Sequence, residues 1–462
     1  MAWTYALHDL AAAIGVEALK DNPAFSAVST DSRSMPPKAV FFALSGERFD
    51  GNNFVPQAFE KGAVAAVTSR PCEGGPCLVV ENVLAALQQF AAWHRRRFDI
   101  PIIAITGSCG KTSTKDFTAA LLGTRYRVVK TQGNLNNDIG CPISLLQIDD
   151  ATEAAIIEMG ANHMGEIAAL CAIAQPTESM ITMVAPSHLE GFGSIANIAK
   201  AKGEIAEALP PDGVFYVNAD DNWCIRIAEA YEGRKVRVGT QGDVRIEACQ
   251  FAEDGLLELR IAPVGTLRLP LLCRAHATNV ALAVAVGLEH GIGLRHGECD
   301  NPRYYEEPLQ AACAKASRFK AVSINNLLIL DDSYNANPAS MTAALETLSE
   351  RPASRRFAVL GDMLELGPTA ESLHRDMGTL AGELGIDHVY ARGEFAQAVV
   401  EAAQQAGALD ARVIQDHEDM ARTVAETAPS NSVVLVKGSR GMQMERVITA
   451  LQNAPESTSE LR

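Results

Sequence analysis

A chain of 462 residues predicts about three domains of ordinary size, and 40 basic against 56 acidic side chains leave a net charge of −16. Hydrophobic residues make up 47% and charged residues 21%, the proportions of a globular rather than a disordered protein. The acidic balance argues against a nucleic-acid partner, which needs a positive face toward the phosphates, but it leaves room for a local basic pocket. The opening MAWTYALHDLAAAIG has no basic leader before a long apolar core, so no signal peptide is expected. No apolar run reaches the roughly 20 residues of a membrane span. The ten cysteines lack paired spacing, and Cys72 and Cys77 flank only a Gly/Pro loop. Free thiols in a cytoplasmic protein are the simpler expectation.

The first segment, to about residue 85, mixes short apolar runs with polar turns. AVFFAL (Ala39–Leu44) reads as a strand and the following SGERFDGNN as a loop. A helix-like stretch from Val83 into AAWHRRR ends near Arg97 and marks the first boundary. IPIIAIT (Ile100–Thr106) is a short β-branched apolar run, the pattern of a strand buried on both faces. AAIIEM (Ala154–Met159), SMITMV (Ser179–Val184) and the shorter FYVN (Phe215–Asn218) repeat it, separated by helix-compatible stretches. Such alternation predicts crossovers and a doubly wound α/β sheet.

The polar, turn-rich LRHGECDNPRYYEEP (Leu294–Pro308) marks a second boundary. From SRFKAV (Ser317–Val322) onward, NLLILDD (Asn326–Asp332), RFAVLGD (Arg356–Asp362) and SVVLVKG (Ser432–Gly438) are again strand-like, and the tail PESTSELR reads as solvated. The expected architecture is therefore α/β in three parts. A small N-terminal α/β domain spans 1–85, a central doubly wound parallel sheet with a phosphate loop 86–312, and a Rossmann-like α/β domain 313–462.

The strongest chemical signal is TGSCGKTST (Thr106–Thr114), set between the strand at 100–106 and the helical KDFTAALLG. A glycine turn entering a helix aims several backbone N–H groups at one spot, where the helix dipole also favours an anion. Gly107, Ser108, Gly110 and Ser113 would line that cradle, Lys111 would reach the β- and γ-phosphates, and the Thr112 hydroxyl would hold Mg²⁺. Ile105 stands where the common G-x-x-x-x-G-K-[ST] pattern has its first glycine, with Gly107 two residues later. ATP is the expected ligand.

T-G-[ST]-x-G-K-T-[ST] resembles the ATP loop of the Mur ligases and folylpolyglutamate synthases, which join an amine to a carboxylate through an acyl phosphate. STDSR (Ser29–Arg33), FFALSGERFDGNNF (Phe41–Phe54), TQGNLNNDIGCPISLL (Thr131–Leu146), IEMGANHMGEI (Ile157–Ile167) and HLEGFGS (His188–Ser194) extend the likeness. AKGEI (Ala201–Ile205), DDSYNANP (Asp331–Pro338), LGDMLELG (Leu360–Gly367) and VKGSRGM (Val436–Met442) continue it in order. Together they resemble the branch of the Mur ligase family that adds D-alanyl-D-alanine to UDP-N-acetylmuramoyl-tripeptide. The resemblance implies a cytoplasmic, monomeric enzyme that uses ATP and two Mg²⁺ ions, and it leaves the third peptide residue open between diaminopimelate and lysine. DNPR (Asp300–Arg303) matches the string by which a neighbouring branch selects diaminopimelate. It precedes DDSYNANP instead of following it, so it reads as a turn-forming Asp-Asn-Pro.

Residue by residue, the resemblance makes Glu158 a Mg²⁺ ligand, where a carboxylate could otherwise cap the next helix. It makes His188 a metal-site histidine, although a histidine in a loop is more often a hydrogen-bonded surface group. Lys202 matches the lysine that takes up CO₂ as a carbamate, which needs an unprotonated amine. Asp332 is expected on the nucleotide ribose, with Asn335 and Asn337 lining the nucleotide, while Asn-Ala-Asn-Pro is equally good turn chemistry. Arg318 matches an arginine that reaches the ATP phosphates on domain closure. Ser32, Arg33, Ser45, Gly46 and Asn52 fall on loops resembling a UDP pocket, with Asn52 where many relatives carry histidine. Thr131, Asn134 and Asn137 resemble contacts to the muramoyl peptide, and Lys437 and Ser439 fall near the expected dipeptide site.

The family's H-N-x-x-N, whose asparagine contacts adenine, is HATNV here (His276–Val280). Ala277 and Val280 replace both asparagines, and Asn279 is one register out, about 100° around a helix. The rival expectations are a sibling amide ligase with another amino-acid substrate and a nucleotide-binding homologue without catalysis.

Overall fold

The computed structural model describes residues 3–453 except 48, 296–297, 300 and 316–317. Asp300 of DNPR, Ser317 of SRFKAV and the tail PESTSELR thus lie outside the described residues. Three larger sheets follow one another along the chain. The first has four parallel strands, Ala27–Ser29, Ala39–Phe42, Ala65–Thr68 and Cys77–Val79. The stretch expected as a plain loop after Phe42 instead forms a small hairpin, Ser45–Gly46 with Phe49–Asp50, and a 3₁₀ turn over Gly51–Phe54.

The helix Val83–Arg95 is capped by the Asn82 side chain, which accepts from the Ala85 N–H. It joins the first sheet to the second: Phe90 and Leu87 share one core with Phe25 and Phe42 on one side and with Leu145 and Ile157 on the other. Its His94 is the polar rivet, with Nδ1 2.8 Å from the Tyr5 hydroxyl and Nε2 2.9 Å from the Ile148 carbonyl. A carbonyl needs a donor, so Nε2 carries the proton and Tyr5 donates to Nδ1.

The second sheet has nine strands, with Ile102–Thr106 third from one edge. Ala154–Glu158 and Glu178–Ile181 flank it in parallel, followed outward on the latter side by Val214–Asn218 and Arg234–Gly239. All five residues of Ile102–Thr106 are buried, as its unbroken apolar run requires. The far edge departs from a purely parallel sheet. Val244–Phe251, Leu257–Ala262 and Gly265–Leu269 close it as an antiparallel meander. Charged residues alternate with apolar ones in these strands, because one face meets solvent, so no continuous apolar run announces them.

The second boundary is more ordered than its composition suggests, for Arg303–Ala314 is helical with Tyr305 and Leu309 buried. Asn301 Oδ1 accepts from the Arg303 N–H at its start, so the described part of DNPR opens a helix. The third sheet has six strands, with Leu327–Asp332, Val433–Lys437 and Arg356–Gly361 adjacent and parallel. His388–Arg392 and Asp410–Val413 extend it and were not legible as strands. None of the ten cysteines is bridged, and no described helix is long and apolar enough to cross a membrane.

Burial holds the His94 imidazole well below its usual range, at about 4. An unfolded chain therefore takes up its proton first as pH falls from 6.5. The full stability contribution stands above pH 6.5 and is lost toward pH 4, a difference of about 3 kcal/mol. Urea unfolding at pH 7 and pH 4 should show this loss, and His94→Gln, which keeps one donor and one acceptor, should reduce it. An unchanged acid sensitivity in that variant would rule His94 out as its source.

Candidate active site

The carboxyl ends of the second and third sheets face each other across a cleft of about 680 Å³. Its floor is the loop after Ile102–Thr106. Gly107 and Gly110 have φ of +148° and +84°, a region that side chains rarely adopt. A Cβ at Gly107 would stand 1.9 Å from Thr182 Oγ1, and one at Gly110 2.4 Å from Asn279 Oδ1. The helix Lys111–Leu122 starts there, leaving its first-turn N–H groups toward the cleft. Lys111 Nζ donates to the Gly107 carbonyl at 2.7 Å. Ser108 serves the loop through its side chain, donating to the Ala185 carbonyl and accepting from the Ala185 N–H. Its N–H donates to the Met183 carbonyl at 2.9 Å, so both Ser108 donors are taken up within the protein and its role is to shape the loop.

Glu158 ends its strand 2% exposed. Its Oε1 accepts from Asn136 Nδ2 at 2.8 Å and from Thr112 Oγ1 at 3.3 Å. Oε2 has no hydrogen bond and lies 3.7 Å from Lys115 Nζ. An oxygen-only pair of carboxylate and hydroxyl, with one buried oxygen unsatisfied, fits a hard cation that completes its shell with phosphate and water. Among the described residues no three His, Cys, Asp or Glu side chains gather as a metal cage, so any such ion would depend on its ligand for the remaining contacts.

Lys202 is 2% exposed on the helix Ile195–Glu207, lines the cleft, and makes no hydrogen bond through its amine among the described residues. Burial first, and then the charge of Lys111, pushes its ammonium down to about 7. His188, at φ +50° in the loop beyond the strand Glu178–Ile181, also lines the cleft. Its Nδ1 pairs with Glu365 of the C-terminal part. Burial lowers its pKa, with Glu365 opposing.

The C-terminal part closes the cleft from above. Asn337, the N-cap of the helix Pro338–Ser349, also reaches the phosphate loop: its Oδ1 is 3.1 Å from Cys109 Sγ and its Nδ2 3.4 Å from the Ser108 carbonyl. Asp332 and Lys437 are register partners on neighbouring strands and form a buried ion pair, and Lys437 also donates to the Asn335 carbonyl. The Arg318 guanidinium lies over the Tyr334 ring, and both line the cleft.

Of the residues expected from sequence, Ser108, Gly110, Lys111, Thr112, Ser113, Asn134, Asn137, Glu158, His188, Lys202, Arg318, Asp332, Asn335, Asn337 and Lys437 line this one cleft. Gly107, Thr131 and Ser439 do not, Gly107 lying beneath the loop against Thr182. Thr131 is fully buried and accepts from the Glu158 N–H, so it holds the carboxylate from behind. Ser439 accepts from the Leu364 N–H and donates to the Ala336 carbonyl, fastening two loops. Lys437, expected near the dipeptide site, is bound to Asp332.

The N-terminal five lie away from the cleft. Ser32 donates to Gln57, Ser45 to Asp50, and Asn52 is buried between Asp50 and the Ser69 hydroxyl and N–H. Arg33 is exposed and holds Asp31 bidentately, keeping that carboxyl at about 2, and Gly46 is exposed next to Ser45 on the hairpin. Lys115, Asn136, Tyr334, Glu365 and Asn279 were missed. Lys115 was findable as the residue one helical turn after Lys111. Asn279 lines the cleft against Gly110 despite its register, because the helix His276–Glu289 packs on the phosphate-loop helix.

The family descriptions "Mur ligase family, catalytic domain", "Mur ligase middle domain" and "Mur ligase, glutamate ligase domain" match residues 24–94, 105–287 and 317–440. The UDP-N-acetylmuramoyl-tripeptide–D-alanyl-D-alanine ligase of Escherichia coli is 37% identical over 92% of this chain and 93% of its own length. The chain belongs to the Mur ligase family. The Bacillus subtilis enzyme of the same name is 35% identical over 93% of this Mur ligase and 94% of its own length. A crystal structure of MurF from Acinetobacter baumannii superposes with a TM-score of 0.88 at 30% identity, over 98% of this chain and 100% of that one. A structure of MurF ligase from Thermotoga maritima in complex with ADP gives 0.80 at 27% identity, over 92% and 97%.

The Lys202 ammonium is costly to bury, and the unfolded chain binds its proton more tightly between pH 7 and 10.5. That cost is full below pH 7, on the order of 5 kcal/mol, and fades as pH rises toward 10.5. Lys202→Met should therefore raise the melting temperature at pH 7 and lose the advantage by pH 10, as calorimetry would read. A variant no more stable than the parent at pH 7 would contradict a buried, unpartnered amine.

Proposed function

We propose that this protein is an ATP-dependent ligase that joins D-alanyl-D-alanine to UDP-N-acetylmuramoyl-tripeptide, releasing ADP and phosphate and forming the pentapeptide precursor of peptidoglycan. The observation that carries it is one cleft holding Lys111, Glu158, His188 and Lys202 from the central part and Arg318, Asp332 and Asn337 from the C-terminal part. Near full-length similarity to enzymes of that name supports the choice of substrates. Residues 1–85 are assigned to the UDP-muramoyl substrate, 86–312 to ATP, and 313–462 to ribose and dipeptide. The reading is of a cytoplasmic monomer.

Transfer of the γ-phosphoryl group to the peptide carboxylate brings negative charge onto negative charge, so positioning and cations do most of the work. First-turn N–H groups of Lys111–Leu122 bind the phosphates. Lys111 gives up the Gly107 carbonyl for them. Thr112 and Glu158 would hold Mg²⁺, which neutralises the developing phosphate charge when bound. His188, with Nε2 free of partners among the described residues, is assigned to a second ion. Lys202, substantially unprotonated near neutrality, is suited to take up CO₂, which converts an isolated cation into an anion beside the metal site. Asp332 accepts from the ribose, while Tyr334 and Asn279 offer a ring face and an amide to the base. The dipeptide amine attacks the acyl phosphate, and closure of the C-terminal part keeps water away from it.

Incubation with ATP, Mg²⁺, the UDP-tripeptide and the dipeptide should release phosphate only when both substrates are present and yield the UDP-pentapeptide mass. Lys111→Ala should lower turnover at least about 10³-fold with an unchanged melting curve. Turnover with another amino acid, or none from folded protein, would refute the substrate assignment or the enzyme respectively.

A further inference from the structure

Lys115 shares the phosphate-loop helix with Lys111 but points inward and is 2% exposed. Its Nζ stands 3.7 Å from Glu158 Oε2 and 3.6 Å from Asp116 Oδ1. Both distances exceed a hydrogen bond, and the amine makes none among the described residues. Asp116 is already held by Lys130 Nζ at 2.6 Å. Four charges thus run in a line from the surface to the cleft, Lys130, Asp116, Lys115 and Glu158, alternating in sign.

A carboxylate as buried as Glu158 requires a counter-charge. Thr112 and Asn136 are neutral, and Lys115 is the one cation within 4.0 Å among the described residues. It balances the charge of Glu158 without using the second lone-pair side of Oε2, which stays unsatisfied. A divalent ion arriving alone at Glu158 would meet the Lys115 ammonium in a poorly screened setting. Nucleotide phosphates bring the negative charge that offsets this repulsion. Asp116, at nearly the same distance as Glu158, gives Lys115 a second partner to lean on.

We propose that Lys115 is a charge gate, a positioning residue that balances Glu158 while the site is empty and makes divalent-metal binding there conditional on nucleotide. The inference rests on Glu158 being the metal carboxylate. It follows that metal enters with the nucleotide, and that the phosphate loop and the carboxylate strand communicate through the helix that carries both Lys111 and Lys115.

The test is titration of the whole protein with Mn²⁺ in the absence of nucleotide, reading free Mn²⁺ by electron paramagnetic resonance. The parent should bind weakly. Lys115→Met should bind about tenfold or more tightly, Lys115→Arg should match the parent, and adding Glu158→Gln to Lys115→Met should abolish the gain. Equal or weaker binding by Lys115→Met, or a gain that survives Glu158→Gln, overturns the gate. Should Lys115→Met fail to fold, Asp116→Asn serves. By removing the alternative partner it should weaken Mn²⁺ binding in the presence of ADP and leave ADP binding in chelator unchanged, and unaltered Mn²⁺ binding would refute the proposal. No peptide or ATP enters the titration, so its result is separate from success or failure of the ligase assay.

Discussion

The charge on Glu158 sits at the end of a strand buried on both faces, where water cannot screen it, and the cleft is organised around that one constraint. Thr131 fixes its backbone from behind, Asn136 and Thr112 share one oxygen, and Lys115 faces the other. The four contacts come from two segments, Thr131 and Asn136 from the loop after Val128–Lys130 and Thr112 and Lys115 from the phosphate-loop helix, and they converge on the end of a third, the strand itself. A buried charge left with one partner removed is strongly destabilising, so these segments are held in mutual register by electrostatics as much as by packing.

The second organising feature is a pair of contacts across the cleft. Asn337 engages Cys109 and Ser108, and Glu365 engages His188 and, through its backbone carbonyl, the Glu190 N–H. Both join loops at the carboxyl ends of parallel sheets, where α/β folds place ligands. The polar character of these clasps suits surfaces that separate and meet again, since small polar interfaces between domains permit motion. An enzyme that makes an easily hydrolysed acyl phosphate needs such closing, and it also needs the cleft to reopen for two large substrates.

A protein of net charge −16 concentrates Lys111, Lys202, Lys437 and Arg318 in one cleft, so the overall acidity says nothing of the local field. The cations are not equivalent. Lys437 is neutralised by Asp332, Lys115 by Glu158 and Asp116, whereas Lys202 has no opposite charge against it among the described residues. An unpaired buried amine is a liability for stability, and its retention is the trade expected of a functional group.

Much was decided by sequence alone. Unbroken β-branched runs located the central strands to within two or three residues, because a strand covered on both faces is built mainly from apolar side chains. The glycine loop between strand and helix marked the phosphate cradle, since only that order aims backbone N–H groups at one point. Collinear motifs carried the family. Other features belonged to the tertiary structure. The meander at 244–269 hid because one face is solvated and its charges interrupt the apolar run. Lys437 and Asp332 are 105 residues apart, and only strand register made them partners. Asn279 stood out of motif register, yet the packing of its helix on the phosphate-loop helix turned it to Gly110. Thr131 and Ser439 carry the right polarity for ligand contacts but face inward to backbone N–H groups. Sequence names the chemistry available, while direction and burial come from contacts between segments distant in the chain.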